Sequence, residues 1–180
     1  MLFSTRPGTP LTMGSTRVVG ESKTGGSPLV GLIIIGGAVI LTNIIGGLGS
    51  AASGDEYSQL STPDWAPPSW LFGPVWITLY VLTAVSGWLV WHRHGWNGAR
   101  TALSLFFVQL ALNAVWPVLF FAAGLRGVAF VEICLLVLVL GTVNALFWRL
   151  SRLAAILLLP YMAWTLFATV LNLSIWLLNT

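Results

Sequence analysis

The chain is poor in charge: 8 of its 180 residues are Lys or Arg and 5 are Asp or Glu, 7% in all. A soluble domain carries about 25%, so this composition excludes a globule covered by a water-facing surface. Histidine is scarce, with 2 in the chain, and the one cysteine, Cys134, lies in an apolar stretch. A single cysteine makes no intrachain disulfide, and a thiol buried among apolar residues is inert. His92 and His94 flank Arg93, placed in a turn, with no further His, Cys or acid beside them. That argues against a zinc or haem-iron site, so no metal residue is assigned. Paired intramembrane carboxylates, a nucleophile elbow and a phosphate loop are also missing, so no catalytic residue is assigned. No basic run interleaved with aromatics points to nucleic acid.

What the chain does have is apolar length. Its residues are 57% hydrophobic and its mean hydropathy is +0.89, more than one core of this size can hide. The solvent is therefore lipid. About 20 apolar residues cross a bilayer core, and segments of that length fall at roughly 29–50, 70–92, 100–122, 127–148 and 152–178. Unpaired backbone groups are not tolerated in hydrocarbon, so all five are helices. The expected fold is an all-α, five-helix transmembrane bundle over residues 28–180. Residues 1–27, rich in Ser, Thr, Gly and Pro and carrying Arg6, Arg17 and Lys23, are expected to be a disordered basic tail.

Lysine and arginine are unevenly shared between the two ends of the helices. One face receives the tail, Arg93, Arg100, Arg149 and Arg152; the other receives only Arg126, together with Asp55, Glu56 and Asp64 of the first loop. Seven against one predicts the N-terminus inside, with the C-terminus and the 51–69 loop outside. With no convincing targeting signal, the bacterial plasma membrane is the expected location, an organelle membrane the alternative. Glu132, the one acid within a hydrophobic segment, is expected to snorkel to the outer interface.

Ten tryptophans in 180 residues stand out. Trp91, Trp96, Trp148 and Trp176 fall near helix ends, where an interfacial belt accounts for them. Trp76, Trp116 and Trp164 lie deeper and come from three different helices. Asn113 is three residues before Trp116, and Trp164, Ala168 and Asn172 are spaced by four, so each set shares a helix face. Tyr161 adds a hydroxyl nearby. Amides at such depth serve either as interhelical hydrogen-bond glue or as the polar groups of a cavity. Three Trp and two Asn converging from separate helices suit a lined cavity for a flat, largely apolar ligand. Pro117 and Pro160 fall inside their helices and open space between neighbours. Trp65, Pro67 and Pro68 stiffen the first loop, a candidate lid.

The stretch Pro63-Asp64-Trp65-Ala66-Pro67-Pro68-Ser69-Trp70-Leu71-Phe72-Gly73-Pro74-Val75-Trp76, followed by Leu79-Tyr80, resembles the TspO/MBR family of tryptophan-rich sensory proteins and translocator proteins. Two later blocks agree: Gln109-Leu110-Ala111-Leu112-Asn113-Ala114-Val115-Trp116 with Phe120-Phe121, and Pro160-Tyr161-Met162-Ala163-Trp164 with Phe167-Ala168-Thr169-Val170-Leu171-Asn172. The resemblance spans about 29–179. It implies a homodimer in the lipid bilayer with a pocket beneath the first loop, lined at Trp76, Asn113, Trp164 and Ala168. It implies porphyrin ligands, protoporphyrin IX or haem, or other flat hydrophobic small molecules; no cofactor beyond such a ligand is expected. Residues 171–179 lack the Tyr and the Lys or Arg of the animal members' C-terminal cholesterol motif, which puts sterol recognition in doubt.

Three functions stay open. The first is a non-enzymatic membrane receptor or sensor that binds, sequesters or moves a tetrapyrrole, with a role in transport or stress-linked regulation. The others are a light-dependent porphyrin-degrading enzyme and a membrane scaffold that modulates a partner protein.

Overall fold

The computed structural model describes residues 26–51 and 57–180, and the tail expected to be disordered lies outside them apart from its last residues. Five long helices account for most of the chain: α1 Pro28–Gly49, α2 Phe72–Gly98, α3 Arg100–Pro117, α4 Arg126–Leu150 and α5 Arg152–Leu178. All five are long and apolar enough to cross a membrane. The protein is an integral membrane protein, as its composition required.

Local chemistry explains the boundaries. Pro28 opens α1, where its missing N–H leaves no bond unmade. Ser151 caps α5 by accepting from the Ala154 N–H at 3.4 Å. Pro117 ends the regular part of α3, and the chain continues as a wider π turn over Val118–Ala122. Gly124 then takes a positive φ of 62°, open to glycine at little cost, and turns the chain into α4.

The helices close into a ring in the order α1, α2, α5, α4, α3 and back to α1. Apolar side chains cover its outside, among them Ile33, Ile77, Val131, Leu138 and Val170, each more than half exposed. In water that surface would be untenable; in lipid it is the expected one. The two ends of the ring differ. Around the turns that carry Arg93, Arg100, Arg149 and Arg152 the bundle is solid: Ile35, Val90, Leu103, Phe106, Phe147 and Leu158 have no exposed surface. Phe106 stacks on Phe147 with centroids 5.8 Å apart. A Cβ at Gly87 would come within 2.7 Å of the Phe106 ring, so the bare glycine makes that approach possible. The other end is not filled in this way, and the cavity lies there.

Three expectations need correction. His92, Arg93 and His94 belong to α2, which runs on to Gly98 with one non-helical residue, Gly95 (φ 61°). The apolar pattern stops at 92, but polar side chains at the interface keep the helix going by tying it to the α4–α5 turn. The His94 Nε2 lies 3.0 Å from the Leu150 carbonyl oxygen, and the Arg93 Nη1 donates to the Ser151 Oγ at 3.2 Å. Trp91 is not a belt residue but is buried. Its ring lies where a Cβ of Gly31 would be, and its Nε1 donates to the Ser27 carbonyl at 3.2 Å. Glu132 does not snorkel. Both its carboxylate oxygens are buried and have no hydrogen-bond partner among the described residues. It is three residues after Ala129 and four before Leu136, both buried, so helical phase turns it toward the bundle.

Candidate functional site

A cavity of about 390 Å³ opens at the end of the bundle that carries the first loop. Its walls come from α1, α2, α3 and α5, and its rim from Tyr57 and Ser69 of that loop. α4 contributes nothing to it. Trp76 and Tyr80 of α2 stack on one another with centroids 5.5 Å apart. Asn113 and Trp116 face in from α3, and Trp164 and Ala168 from α5.

Among the described residues, no Lys, Arg, Asp, Glu or His lines this cavity. Its polarity comes from hydroxyls, amides and indole N–H groups, several of which are already committed. The Tyr80 hydroxyl donates to the Asn113 Oδ1 at 2.7 Å, across α2 and α3. The Trp116 Nε1 donates to the Asn172 Oδ1 at 3.0 Å. By contrast, the Trp164 Nε1 is buried without a partner among the described residues. A ligand carbonyl or ring nitrogen would satisfy it, and the Asn113 Nδ2 offers a second donor.

Five of the seven predicted ligand residues therefore line one cavity: Trp76, Asn113, Trp116, Trp164 and Ala168. Tyr161 and Asn172 stand behind the wall. Tyr161, 2% exposed, packs edge-on against Trp76 with centroids 6.1 Å apart. Asn172, 1% exposed, holds Trp116 and donates from Nδ2 to the Arg126 carbonyl at 3.0 Å. The same stripe on α5 thus has a cavity-facing end at Trp164 and a positioning end at Asn172.

The predicted lid residues do not line the cavity either, yet they are tied to residues that do. Trp65 packs edge-on against Phe167 (5.8 Å), which lies on Trp164 (5.3 Å). The Tyr57 hydroxyl donates to the Pro67 carbonyl at 3.3 Å, and its ring packs on Phe72 at 5.7 Å. Pro68 precedes the single 3-10 turn Ser69–Leu71 that leads into α2. Burial pushes the Tyr57 phenol above its ordinary pKa of 10.0.

One wall was not foreseen. Asn43, Gly46 and Gly47 of α1, with Ser50 just after it, line the cavity. Asn43 is the single amide in the first hydrophobic segment, a signal of the same kind as Asn113. Gly49 lets the end of α1 lie close to the end of α3: a Cβ there would overlap Val118 at 2.9 Å, whereas one at Gly46 would make ordinary contact with Pro117 and the Tyr80 hydroxyl.

A ring of five membrane helices, solid at one end and opening at the other into an aromatic cavity under a proline-rich loop, defines a five-helix membrane protein with an internal cavity of the kind small molecules occupy. The family model of the TspO/MBR family matches residues 34–177, and the chain belongs to that family. Among relatives, it is 41% identical to the human translocator protein over 122 residues, 67% of this chain and 72% of the relative. It is 38% identical to the tryptophan-rich protein TspO of Archaeoglobus fulgidus over 123 residues, 68% and 79% of the two chains. Against the Sus scrofa translocator protein the figure is 37% over 155 residues, covering 83% and 88%. This membership supports a membrane sensor or receptor role.

Proposed function

We propose that the protein is a membrane receptor or sensor that binds a porphyrin, or another flat, largely apolar molecule, in this cavity, with a role in its transport or in stress-linked regulation. The observation that carries the reading is the uncharged chamber in which three indoles from three helices meet Asn113. An apolar macrocycle is held there by stacking and burial, and its few acceptors meet the Trp164 N–H and the Asn113 amide. At about 25 cal/mol per Å², burying a few hundred Å² of ligand supplies about 5–10 kcal/mol before ordering costs. Micromolar binding requires about 8 kcal/mol. The gross burial term is thus of the size that micromolar binding requires, and stacking on the indoles and hydrogen bonds would have to offset the ordering costs. The cavity mouth faces the acidic 51–69 loop, on the outer side of a bacterial plasma membrane with the N-terminus inside. The apolar outer surface leaves room for a second copy as a homodimer.

Titration with protoporphyrin IX, followed by tryptophan-fluorescence quenching in detergent, tests this reading. Saturable quenching at micromolar ligand is expected, and Trp164→Ala and Asn113→Ala both weaken it while circular dichroism stays helical. Quenching that does not saturate, or that ignores both substitutions, refutes the assignment of the cavity.

A second reading is supported by the oxidisable character of the same three indoles. A porphyrin excited by light beside Trp76, Trp116 and Trp164, with dioxygen as oxidant, would be degraded rather than stored. Illumination of the complex separates the two. A receptor yields no product beyond those of free-porphyrin bleaching.

A further inference from the structure

Residues 57–71 lie at the mouth of the cavity, and they are held from the far side by the last residues of the chain. The Asn179 Oδ1 accepts from the Ser61 backbone N–H at 3.0 Å, while its Nδ2 donates to the Ser61 carbonyl at 2.9 Å. One side-chain amide thus pairs both backbone groups of one loop residue, 118 positions away in sequence. The same Nδ2 donates to the Ile175 carbonyl at 2.7 Å, which fixes the amide to the end of α5. Ile175 is 1% exposed, so this mount does not move. The loop also meets α5 through apolar contacts: Trp65 packs on Phe167, and Tyr57, Leu60 and Ala66 pack against the cluster that contains Leu171 and Ile175. Apolar contacts keep their worth when the loop shifts; the clasp is directional and breaks on a small displacement.

We propose that Asn179 is a positioning residue for the cavity. Its two-point clasp on Ser61 keeps residues 57–71 closed over the mouth and so sets the rates of ligand entry and exit. The gating of a ligand rests on the binding reading above; the clasp itself does not. Asn179 does not line the cavity, so a ligand would not touch it. It acts equally on the free and the occupied protein, and opening must precede both entry and exit. Removing it raises both rates by the same factor and leaves their ratio, the Kd, unchanged. Two solvent-exposed hydrogen bonds at the low end of their usual worth give a factor of about five.

The test uses the full chain in nanodiscs with Asn179→Ala and Asn179→Asp; the second keeps the acceptor for the Ser61 N–H and loses the donor. Access to the cavity is read without any ligand by placing Ala168→Cys in a Cys134→Ser background and timing its reaction with N-ethylmaleimide. Asn179→Ala is expected to speed labelling about fivefold, with Asn179→Asp in between. Amide exchange of residues 57–71 should rise by the same factor, while that of Leu103 and Phe106 in the solid end does not. Labelling that is indifferent to Asn179 overturns the gate, and unchanged loop exchange overturns the clasp. Stopped-flow quenching with protoporphyrin IX adds the kinetic signature. A weakened Kd at an unchanged entry rate would make Asn179 part of the bound state and overturn the proposal. Absence of any porphyrin quenching in the wild type refutes the binding reading, and the labelling result still decides the gate.

Discussion

Asn172 and Trp116 offer a sharp test of how this cavity is built. Asn172 is fully buried behind the wall, and Trp116 forms part of the wall itself. A 3.0 Å bond from the indole N–H to the Asn172 Oδ1 joins them, and the Asn172 Nδ2 bonds the Arg126 carbonyl at the start of α4. Asn172→Ala removes both bonds and leaves the Trp116 indole N–H buried without a partner, while the Arg126 carbonyl keeps the intrahelical bond of the first turn of α4. Each such loss costs about 1 kcal/mol, because interhelical hydrogen bonds in membranes average about 0.6 and reach about 1.7 kcal/mol. The single variant should therefore lose about 2 kcal/mol of stability. Trp116→Phe removes only the indole donor and keeps an aromatic ring. In a double-mutant cycle the two should couple by about 1 kcal/mol in thermal or denaturant unfolding in detergent. Ligand binding should follow the same logic. Asn172→Ala lets the Trp116 ring turn and weakens protoporphyrin IX binding about fivefold, or about 1 kcal/mol. In the Trp116→Phe background the same substitution should have little further effect. If Asn172→Ala weakens binding equally in both backgrounds, Asn172 meets the ligand directly and the division of the α5 stripe into contact and positioning ends is wrong.

Two further outcomes follow from the geometry. Gly87→Ala should lower the unfolding midpoint, because its Cβ lies 2.7 Å from a Phe106 ring that Phe147 holds from the other side; such overpacking costs about 1–3 kcal/mol. Gly36→Ala, with nothing within 4 Å, serves as the control, and an equal shift in the two would refute the account. Tyr57 supplies a pH dependence: burial raises its phenol above 10.0, so the neutral form is favoured in the folded loop. Its contribution is whole below pH 10 and is lost as pH rises through the higher folded value. Amide exchange of residues 57–71 should accelerate above that point in the wild type and not in Tyr57→Phe; identical profiles would refute it.

The sequence carried the fold far because a bilayer leaves little choice. Runs of about 20 apolar residues must be helices wherever water is absent, and the five segment ends lie close to those observed except at the end of α2. That exception is instructive. The pattern marks where the apolar surface stops, whereas the helix stops where its backbone bonds stop, and His94 and Arg93 carry it further through partners on the α4–α5 turn. Glu132 shows the same limit. Hydropathy located it near a helix end, but only its phase relative to Ala129 and Leu136 shows that it faces inward.

The candidate site was legible for a related reason. Deep Trp and Asn residues are costly in lipid, so their presence at Trp76, Asn113, Trp116 and Trp164 marks a bundle interior. Depth does not tell which of them face empty space and which brace their neighbours. Tyr161 and Asn172 have the same spacing and chemistry as the lining residues, yet they stand behind the wall. The wall from α1 was missed although Asn43 marked it, because glycine leaves no signature of the close approach it permits, as Gly49 does against Val118.

Composition and apolar length alone determined that the chain lives in a membrane as five helices, because no other arrangement satisfies its backbone without water. The order of those helices around the ring, the side of each that faces the cavity, and the pairing of Ser61 with Asn179 across 118 residues were decided only by the tertiary structure. Those features depend on which surfaces meet, and surface complementarity between distant segments is not written in the local period of a sequence.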